Sequence, residues 1–302
     1  MRALIVVLLL TFGSSIACAD AGRFVVKPPQ VTSSEWRDEA RAMQDSGTLQ
    51  ELAAALNSIF VLPRDINMRY VECGEANAYY DAEAHEIQMC LELMQEIAEL
   101  LAKHYEDEDV ADAAAGAYIA TALHEAGHAL VHVLELPVTG REEDAVDQLS
   151  AWMLIEADDV DSVLGVAAMY YTDAEVGDEE LGNEHSLDKQ RYYNLVCWAY
   201  GSDPDNSQEL IDTWELPQAR AELCVDEYKQ LDRSWTRLLR DHLREDSATV
   251  FTVPRAQTPS PRQPHIQTPA TPRSERWILG RISEGPVSMR QQRAPKQRPG
   301  KD

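Results

Sequence analysis

The sequence predicts an α+β protein in which helices predominate and a small β-hairpin or sheet supplies the β-structure. Stretches with helical spacing of apolar residues, one of them rich in alanine, account for much of residues 34–253. Strand-like alternation is confined to residues 67–90. A hydrophobic share of 44% is ordinary for a globular protein, so the chain should bury a substantial core.

Residues 1–19 predict a secretory signal peptide. A short basic start is followed by an almost wholly apolar stretch to Phe12, and small residues from Ala17 to Ala19 suit cleavage. The mature protein should therefore be exported, to the periplasm or the medium. No transmembrane segment is expected, because no later window approaches the roughly 20 apolar residues of a membrane helix. Lipid attachment at Cys18 remains a minor alternative.

The next segments predict a leader, a helix and a small β-region. Residues 20–33 should form an extended leader, and a helix should run from Ser34 to about Asn57. Residues 67–73 alternate as a strand does, and residues 77–80 lead through an acidic turn to residues 86–90. We expect a β-hairpin or meander here.

Four cysteines remain after signal removal, and in an exported chain disulfides are their default use. Three pairings are possible. We favour Cys73 with Cys90 and Cys197 with Cys224, because the members of each pair are close in sequence and flank a predicted turn. A four-cysteine zinc site is disfavoured, since no two of these cysteines have the spacing of two to four residues that such sites use.

Helical patterns dominate the rest of the domain. The predicted helices cover residues 91–105, 110–134, 142 to at least 154, 186–200 and 216–243. Pro137 and Gly140 separate the second of these helices from the third, and residues 201–204 form another break. The predicted domain therefore spans residues 34–253.

Charge and composition divide the chain at about residue 253. Residues 254–302 hold nine of the fifteen prolines, ten Lys or Arg and three acidic residues, and therefore predict a disordered, Pro-rich basic tail. The net charge of the whole chain is −25. Such acidity argues against nucleic acid as the main partner, because like charges repel.

The predicted helix over residues 110–134 carries a metal-site pattern. His124 and His128 stand four residues apart, so one helix face presents both imidazoles one turn from each other. Glu125 lies at the edge of that face, where it could act on a water molecule. His132 lies about 12 Å along the axis from His124 and is expected to be a core or edge histidine. This pattern predicts a Zn²⁺ site.

A third ligand is expected from the next helix. Glu143 and Asp147 stand one turn apart at its start. A carboxylate from this helix would complete three protein ligands and leave a position open for catalysis, with Glu142 and Asp144 as alternatives to Glu143. Asp147 is placed to accept the second N–H of a ligating histidine.

The run from His124 to Leu154, HEAGHALVHVLELPVTGREEDAVDQLSAWML, resembles a metallopeptidase family of exported bacterial proteins, domain of unknown function 4344. The resemblance extends to CGEANAYYDAEAHEIQMCLEL upstream and EHSLDKQRYYNLVCWAYGSDP downstream, and covers roughly residues 50–240. It implies a zincin-like metallopeptidase domain in which His124, His128 and Glu143 hold the zinc ion.

The resemblance also suggests roles for residues outside the motif. A strand that pairs with an extended substrate would include Asn77 and Tyr79. Among the groups that could stabilise an oxyanion, His185 is the first candidate and Tyr192 or Tyr193 the second. The expected function is hydrolysis of peptide or protein substrates, with Glu125 as general base. The alternative is a catalytically silent zinc-binding protein that binds peptides or an envelope component. The oligomeric state is not predicted.

Overall fold

The computed structural model of the chain describes residues 21–171 and 181–244. The predicted signal peptide and the predicted tail, residues 254–302, lie outside the described residues. So does the end of the predicted domain after residue 244.

Four short strands form one mixed sheet. Its order is β1-β2-β4-β3, with β2 parallel to both β1 and β4, and with β3 antiparallel to β4. Side chains of β2 alternate between buried and half-buried, as in a sheet with one covered face. The strands are β1 (Phe24–Val26), β2 (Ile66–Val71), β3 (Ala78–Asp81) and β4 (Glu86–Cys90).

This sheet differs in two respects from the one expected. The predicted leader supplies β1, which pairs with β2 in a register that aligns Phe24 with Ile66. The predicted meander is wrong in its order, because β4 lies between β2 and β3. The hairpin of β3 and β4 is as expected. As a result β3 lies at an edge of the sheet.

The predicted helix over residues 34–57 is two helices, α1 (Arg37–Ser46) and α2 (Thr48–Ile59). Gly47 divides them with a φ of 79°, a left-handed conformation that glycine adopts without steric cost. Leu49, Leu52 and Leu56 of α2 are buried in the core.

The central helices follow β4 directly. They are α3 (Leu91–Leu101), α4 (Asp107–Val133) and α5 (Glu142–Glu156). The apolar residues around the motif on α4 are buried, including Leu123, Ala126 and Leu130. Because α4 packs against α3, α5, strands β3 and β4 and the helix at Val160–Met169 (α6), its residues are covered on several sides. Two histidines and a glutamate on α4 therefore lie inside the molecule.

The remaining helices pack around α4 and α5. They are α6 (Val160–Met169), α7 (Asp188–Ser202), α8 (Glu209–Thr213) and α9 (Gln218–Leu239), followed by a 3-10 turn at Arg240–His242. Helices α7 and α9 agree with the predicted ones within two to four residues at their ends. Helix α6 was not predicted as an element of its own. It begins with Asp159 capping the amide of Ser162.

Both predicted disulfides are present. Cys73 is bonded to Cys90 beside the sheet, and Cys197 of α7 is bonded to Cys224 of α9. Closing loops of this length contributes about 2 to 4 kcal/mol each. In the described part of the chain, no helix has the length and apolar character needed to cross a membrane.

Candidate metal centre

Helix α4 buries His124 and Glu125 of the motif and leaves His128 half-buried. His124 is 7% exposed and Glu125 is 6% exposed. The imidazole rings of His124 and His128 have centroids 5.0 Å apart, as expected for residues one turn apart. Buried polar side chains of this kind need partners to offset their lost hydration.

Helix α5 approaches α4 closely beside the motif. A Cβ atom placed on Gly127 would lie 2.9 Å from Cβ of Val146, closer than side chains normally pack. The absence of a side chain at Gly127 therefore lets the two helices approach. This contact brings the first two turns of α5, with Glu143 and Asp147, over His124 and His128.

Three imidazole nitrogens converge on one carboxylate oxygen of Glu143. Its Oε2 atom lies 3.2 Å from Nε2 of His124 and 3.4 Å from Nε2 of His128. Nε2 of His185, from the loop before α7, lies 2.9 Å from the same oxygen. Four candidate ligands thus surround one small volume.

The other nitrogen of each ring has its own partner. Nδ1 of His124 lies 2.8 Å from Oδ1 of Asp147, and Nδ1 of His128 lies 2.8 Å from Oε1 of Glu142. Nδ1 of His185 lies 3.3 Å from Oδ1 of Asn183. These oxygens only accept hydrogen bonds, so each Nδ1 must carry the proton.

A neutral ring with its proton on Nδ1 presents a lone pair at Nε2. Three lone pairs would then face one oxygen of Glu143. The negative oxygen repels these lone pairs unless a positive charge lies between the oxygen and the three nitrogens. Protons on the rings can supply that charge, and so can one divalent cation. The arrangement therefore meets the requirement for a metal site: ligand atoms that point inward and outer partners that fix each ring.

The ionisation of the site reflects the same demand for positive charge. Burial lowers the pKa of His124, but hydrogen bonds with Asp147 and Glu143 outweigh burial and raise this pKa to about 10. Burial raises the pKa of Glu143, but hydrogen bonds from His124, His128 and His185 outweigh it and hold this pKa well below its usual range. The pKa of His128 is raised as well, so without a metal ion protonated rings are favoured at His124 and His128.

Ligand atoms of His124, Glu143 and His185 all lie within 4.8 Å of one another, close enough to share one ion. Nε2 of His128 lies 3.4 Å from the same oxygen of Glu143, but His128 is not part of this mutually close group. Cys73, Cys90 and Glu92 form another compact group of ligand-type residues. That group does not fit a metal ion, because the two sulfur atoms are bonded to each other. The candidate metal centre therefore lies between α4 and α5.

A second layer of contacts holds Asp147. Arg191 of α7 donates two hydrogen bonds to its carboxylate, at 2.7 and 2.8 Å. The guanidinium carbon of Arg191 lies 3.9 Å from the centre of the Tyr170 ring, a cation–π contact. Burial raises the pKa of Asp147, but the charge of Arg191 outweighs burial and keeps this pKa below its usual range.

The centre opens into a cavity of about 580 Å³. Asn77, Ala78, Tyr79 and Tyr80 line one side of it, so edge strand β3 runs beside the metal centre. Glu125 also lines the cavity. No hydrogen bond joins its carboxylate to another described residue, and burial raises its pKa. A buried carboxyl group of raised pKa in a cavity suits proton transfer.

The structure brings most of the predicted site residues together. His124, Glu125, His128, Glu143, Asp147, His185, Asn77 and Tyr79 all line the cavity.

Two groups of predicted residues lie elsewhere or have other partners. Tyr192, a candidate for substrate binding, is not at the cavity: it is 1% exposed, and its hydroxyl donates to the carbonyl of Trp214. The alternative ligand Glu142 accepts from His128, and Asp144 accepts from Ser186. His132 is exposed and contacts the Tyr80 hydroxyl.

Sequence reasoning missed the roles of Arg191 and Tyr170. Both are buried; Arg191 lies on α7, and Tyr170 directly follows α6. The available signal was weak: an arginine within an apolar-periodic helix needs a buried acid as partner. The sequence also gave no sign that His185 lies within reach of the same ion as His124 and Glu143.

Comparison with known protein families gives a match over most of the described domain. The family model DUF4344, described as "Putative metallopeptidase", matches residues 29–239, which is more than half of the chain. No curated protein and no solved structure matches the chain.

Proposed function

The chain belongs to the DUF4344 family of metallopeptidases, and from this premise we propose that it is an exported zinc-dependent peptidase. One observation carries the proposal: three imidazole nitrogens converge on one oxygen of Glu143, beside a buried carboxyl group of Glu125 that has no hydrogen-bond partner among the described residues. A metal-ligand set and a proton acceptor in one cavity are the two parts that metal-assisted hydrolysis requires.

Zinc is the ion that fits this ligand set best. Imidazole nitrogens together with a carboxylate suit Zn²⁺, whereas Ca²⁺ and Mg²⁺ favour oxygen ligands. His124, His128 and Glu143 hold the ion in this proposal, and Asp147 fixes the ring of His124. Zinc supplies a Lewis acid, which makes a water molecule nucleophilic near neutral pH and polarises a carbonyl group.

Glu125 is the general base. It accepts a proton from the attacking water and passes it to the nitrogen of the departing amine. Its burial favours this role, because a carboxyl group of raised pKa both accepts and returns a proton near neutral pH.

His185 stabilises the oxygen of the attacked carbonyl. Of the three imidazoles it is the most exposed, with its side chain at 25% against 10% for His124 and 16% for His128. It also comes from a loop rather than from α4. Both properties favour contact with a substrate, although its distance of 2.9 Å from Glu143 also allows it to bind the ion.

The substrate is an extended peptide. Strand β3 is an edge strand along the cavity, so its free backbone groups can pair with a peptide by strand addition. Asn77 and Tyr79 flank the start of this strand. Export is supported by the predicted signal peptide and by two disulfides, which form in oxidising compartments.

The test combines metal content with peptide cleavage. Purified full chain without the signal should contain one zinc per molecule by mass spectrometry, and it should cleave a peptide library only when the metal is present. Glu125→Gln should keep the zinc and lose about 10²- to 10⁴-fold in kcat. Full activity of Glu125→Gln would overturn the role of Glu125.

Two further outcomes separate the alternatives. One equivalent of zinc without chelator-sensitive cleavage would favour the silent binding protein. For His185, the variant His185→Asn distinguishes the two roles: retained zinc with reduced kcat supports contact with the carbonyl oxygen, and lost zinc supports ligation.

A further inference from the structure

We propose, on the basis of the proposed peptidase function, that the cavity selects peptides with basic side chains near the cleaved bond. The preference arises from acidic residues in the cavity wall beyond those that the metal centre uses.

When a metal ion is bound and the imidazoles are neutral, carboxylates outnumber cationic side chains in this wall. The cavity is lined by five acidic residues and by one arginine. The chain as a whole carries a net charge of −25. A cleft lined by one sign of charge focuses the field and concentrates ligands of the opposite sign. The acidic residues are Glu125, Glu142, Glu143, Asp147 and Glu184.

The metal centre neutralises only part of this charge. Arg191 is 5% exposed and donates both of its hydrogen bonds here to Asp147, so this pair contributes no net charge. A divalent cation balances Glu143 and Glu125. Among the lining residues two negative charges then remain, on Glu142 and Glu184; Arg141, which donates to the carbonyl of His185, lies outside the lining.

These two carboxylates are accessible to a substrate. The Glu142 side chain is 48% exposed, and its partner, His128, donates through Nδ1 without removing its charge. Glu184 is exposed and directly precedes His185. Tyr79 and Tyr80 line the side formed by β3, and aromatic rings also attract cations. A basic side chain beside the scissile bond therefore finds carboxylates and aromatic rings around it.

The experiment compares matched peptides. Internally quenched peptides share an apolar core and carry Lys, Gln or Glu on both sides of it, and kcat/KM is measured with the zinc-loaded full chain. We expect kcat/KM to be higher for Lys peptides than for Gln peptides, and higher for Gln peptides than for Glu peptides. Each carboxylate should contribute a factor of about two to five. Raising NaCl from about 0.1 to about 1 M should shrink the preference, because the Debye length falls from about 10 to about 3 Å.

Two single variants locate the source of the preference. Glu184→Gln should reduce the ratio of Lys to Gln peptides by about two- to fivefold. Glu222→Gln removes an equal charge from an exposed position on α9, outside the cavity, and should leave the ratio unchanged. Equal reductions in both variants would overturn the proposal, since the effect would then come from net charge alone.

A binding measurement keeps this proposal separate from the proposed function. Zinc-loaded Glu125→Gln protein is titrated with the same peptides, labelled for fluorescence anisotropy. Tighter binding of Lys peptides without cleavage by the native chain would support the charge preference and contradict the peptidase. Cleavage of all three peptides at equal rates, or equal binding of all three, would overturn the charge preference.

Discussion

Arg191 and Asp147 form a buried ion pair directly behind the metal centre. Nε of Arg191 lies 2.7 Å from Oδ2 of Asp147, and Nη2 lies 2.8 Å from Oδ1. The same Oδ1 accepts the Nδ1 proton of His124 at 2.8 Å. Arg191 therefore contacts Asp147 and, through it, the ring of His124, so in the candidate metal centre it would act as a positioning residue.

The first prediction concerns Arg191→Met. This change leaves the Asp147 carboxylate buried without its cation, which should lower the free energy of unfolding by about 3 to 5 kcal/mol. Zinc affinity should fall by about 10- to 100-fold, because the carboxylate that orients His124 is no longer fixed by Arg191. Chemical denaturation and competition with a zinc indicator measure the two effects. Arg191→Lys should restore part of the affinity, since it keeps the charge but loses the paired geometry.

Arg220→Met is the matched control. Arg220 also makes two hydrogen bonds to one carboxylate, that of Glu227, but this pair is partly exposed. Loss of this ion pair should lower the free energy of unfolding by at most about 1 kcal/mol and leave zinc affinity unchanged. If Arg191→Met behaved like Arg220→Met, the role assigned to Arg191 would be wrong.

The second prediction is a pH dependence of the same ion pair. Arg191 holds the pKa of Asp147 below its usual range despite burial. A carboxyl group whose pKa is lowered on folding stabilises the fold above its unfolded pKa of about 3.9, and this contribution is lost as pH falls through the folded pKa. In chelator, the stability difference between the native chain and Arg191→Met should be largest near neutral pH and should shrink as pH falls. The unfolded state contributes equally to both chains, and without Arg191 burial raises the pKa of Asp147, so the variant is relieved of its buried charge at a higher pH than the native chain. A difference that grew on acidification would contradict the pairing.

Much of the metal centre could be predicted from sequence because its determinants are local. The helical period alone places His124 and His128 on one face. The break at Pro137 and Gly140 predicts a second helix that begins with Glu142 and returns towards the first. The close sequence spacing of the cysteines likewise favoured the observed disulfides.

The missed features depend on contacts between distant parts of the chain. The position of β4 between β2 and β3 follows from tertiary packing, which local alternation does not encode. Tyr192 and Arg191 are neighbours on α7, yet Arg191 reaches Asp147 behind the candidate metal centre and Tyr192 points into the core. An apolar-periodic helix does not reveal which of its polar atoms will meet a partner 44 residues away.

The third prediction concerns metal removal. Zinc at about 100 to 1,000 times its Kd stabilises the folded state by about 2.7 to 4.1 kcal/mol. For a domain of this size, chelation should then lower Tm by about 5 to 15 °C. Zinc should reverse the loss and Ca²⁺ should not, because the ligand set is rich in nitrogen. The variant carrying both His124→Gln and His128→Gln should show no shift with either ion. Equal rescue by Ca²⁺ would contradict the ligand assignment.

The fourth prediction tests the close approach of α4 and α5. In Gly127→Ala the added Cβ would lie 2.9 Å from Cβ of Val146, so α5 must move away and take Glu143 with it. Displacing one ligand should weaken zinc binding by about tenfold. Crowding at a packed contact typically costs about 1 to 3 kcal/mol, offset in part by about 1 kcal/mol of gained helix propensity.

Gly116→Ala separates crowding from ligand displacement. A Cβ there would lie 2.8 Å from Oγ of Ser162, an equally close approach on the same helix, but between α4 and α6. Because Ser162 lies outside the metal centre, Gly116→Ala should lower stability to a similar degree and leave zinc affinity unchanged. Chemical denaturation measures the stability of both variants, and zinc titration measures their zinc affinity. Equal zinc affinity in the two variants would show that the contact between Gly127 and Val146 does not set the position of Glu143.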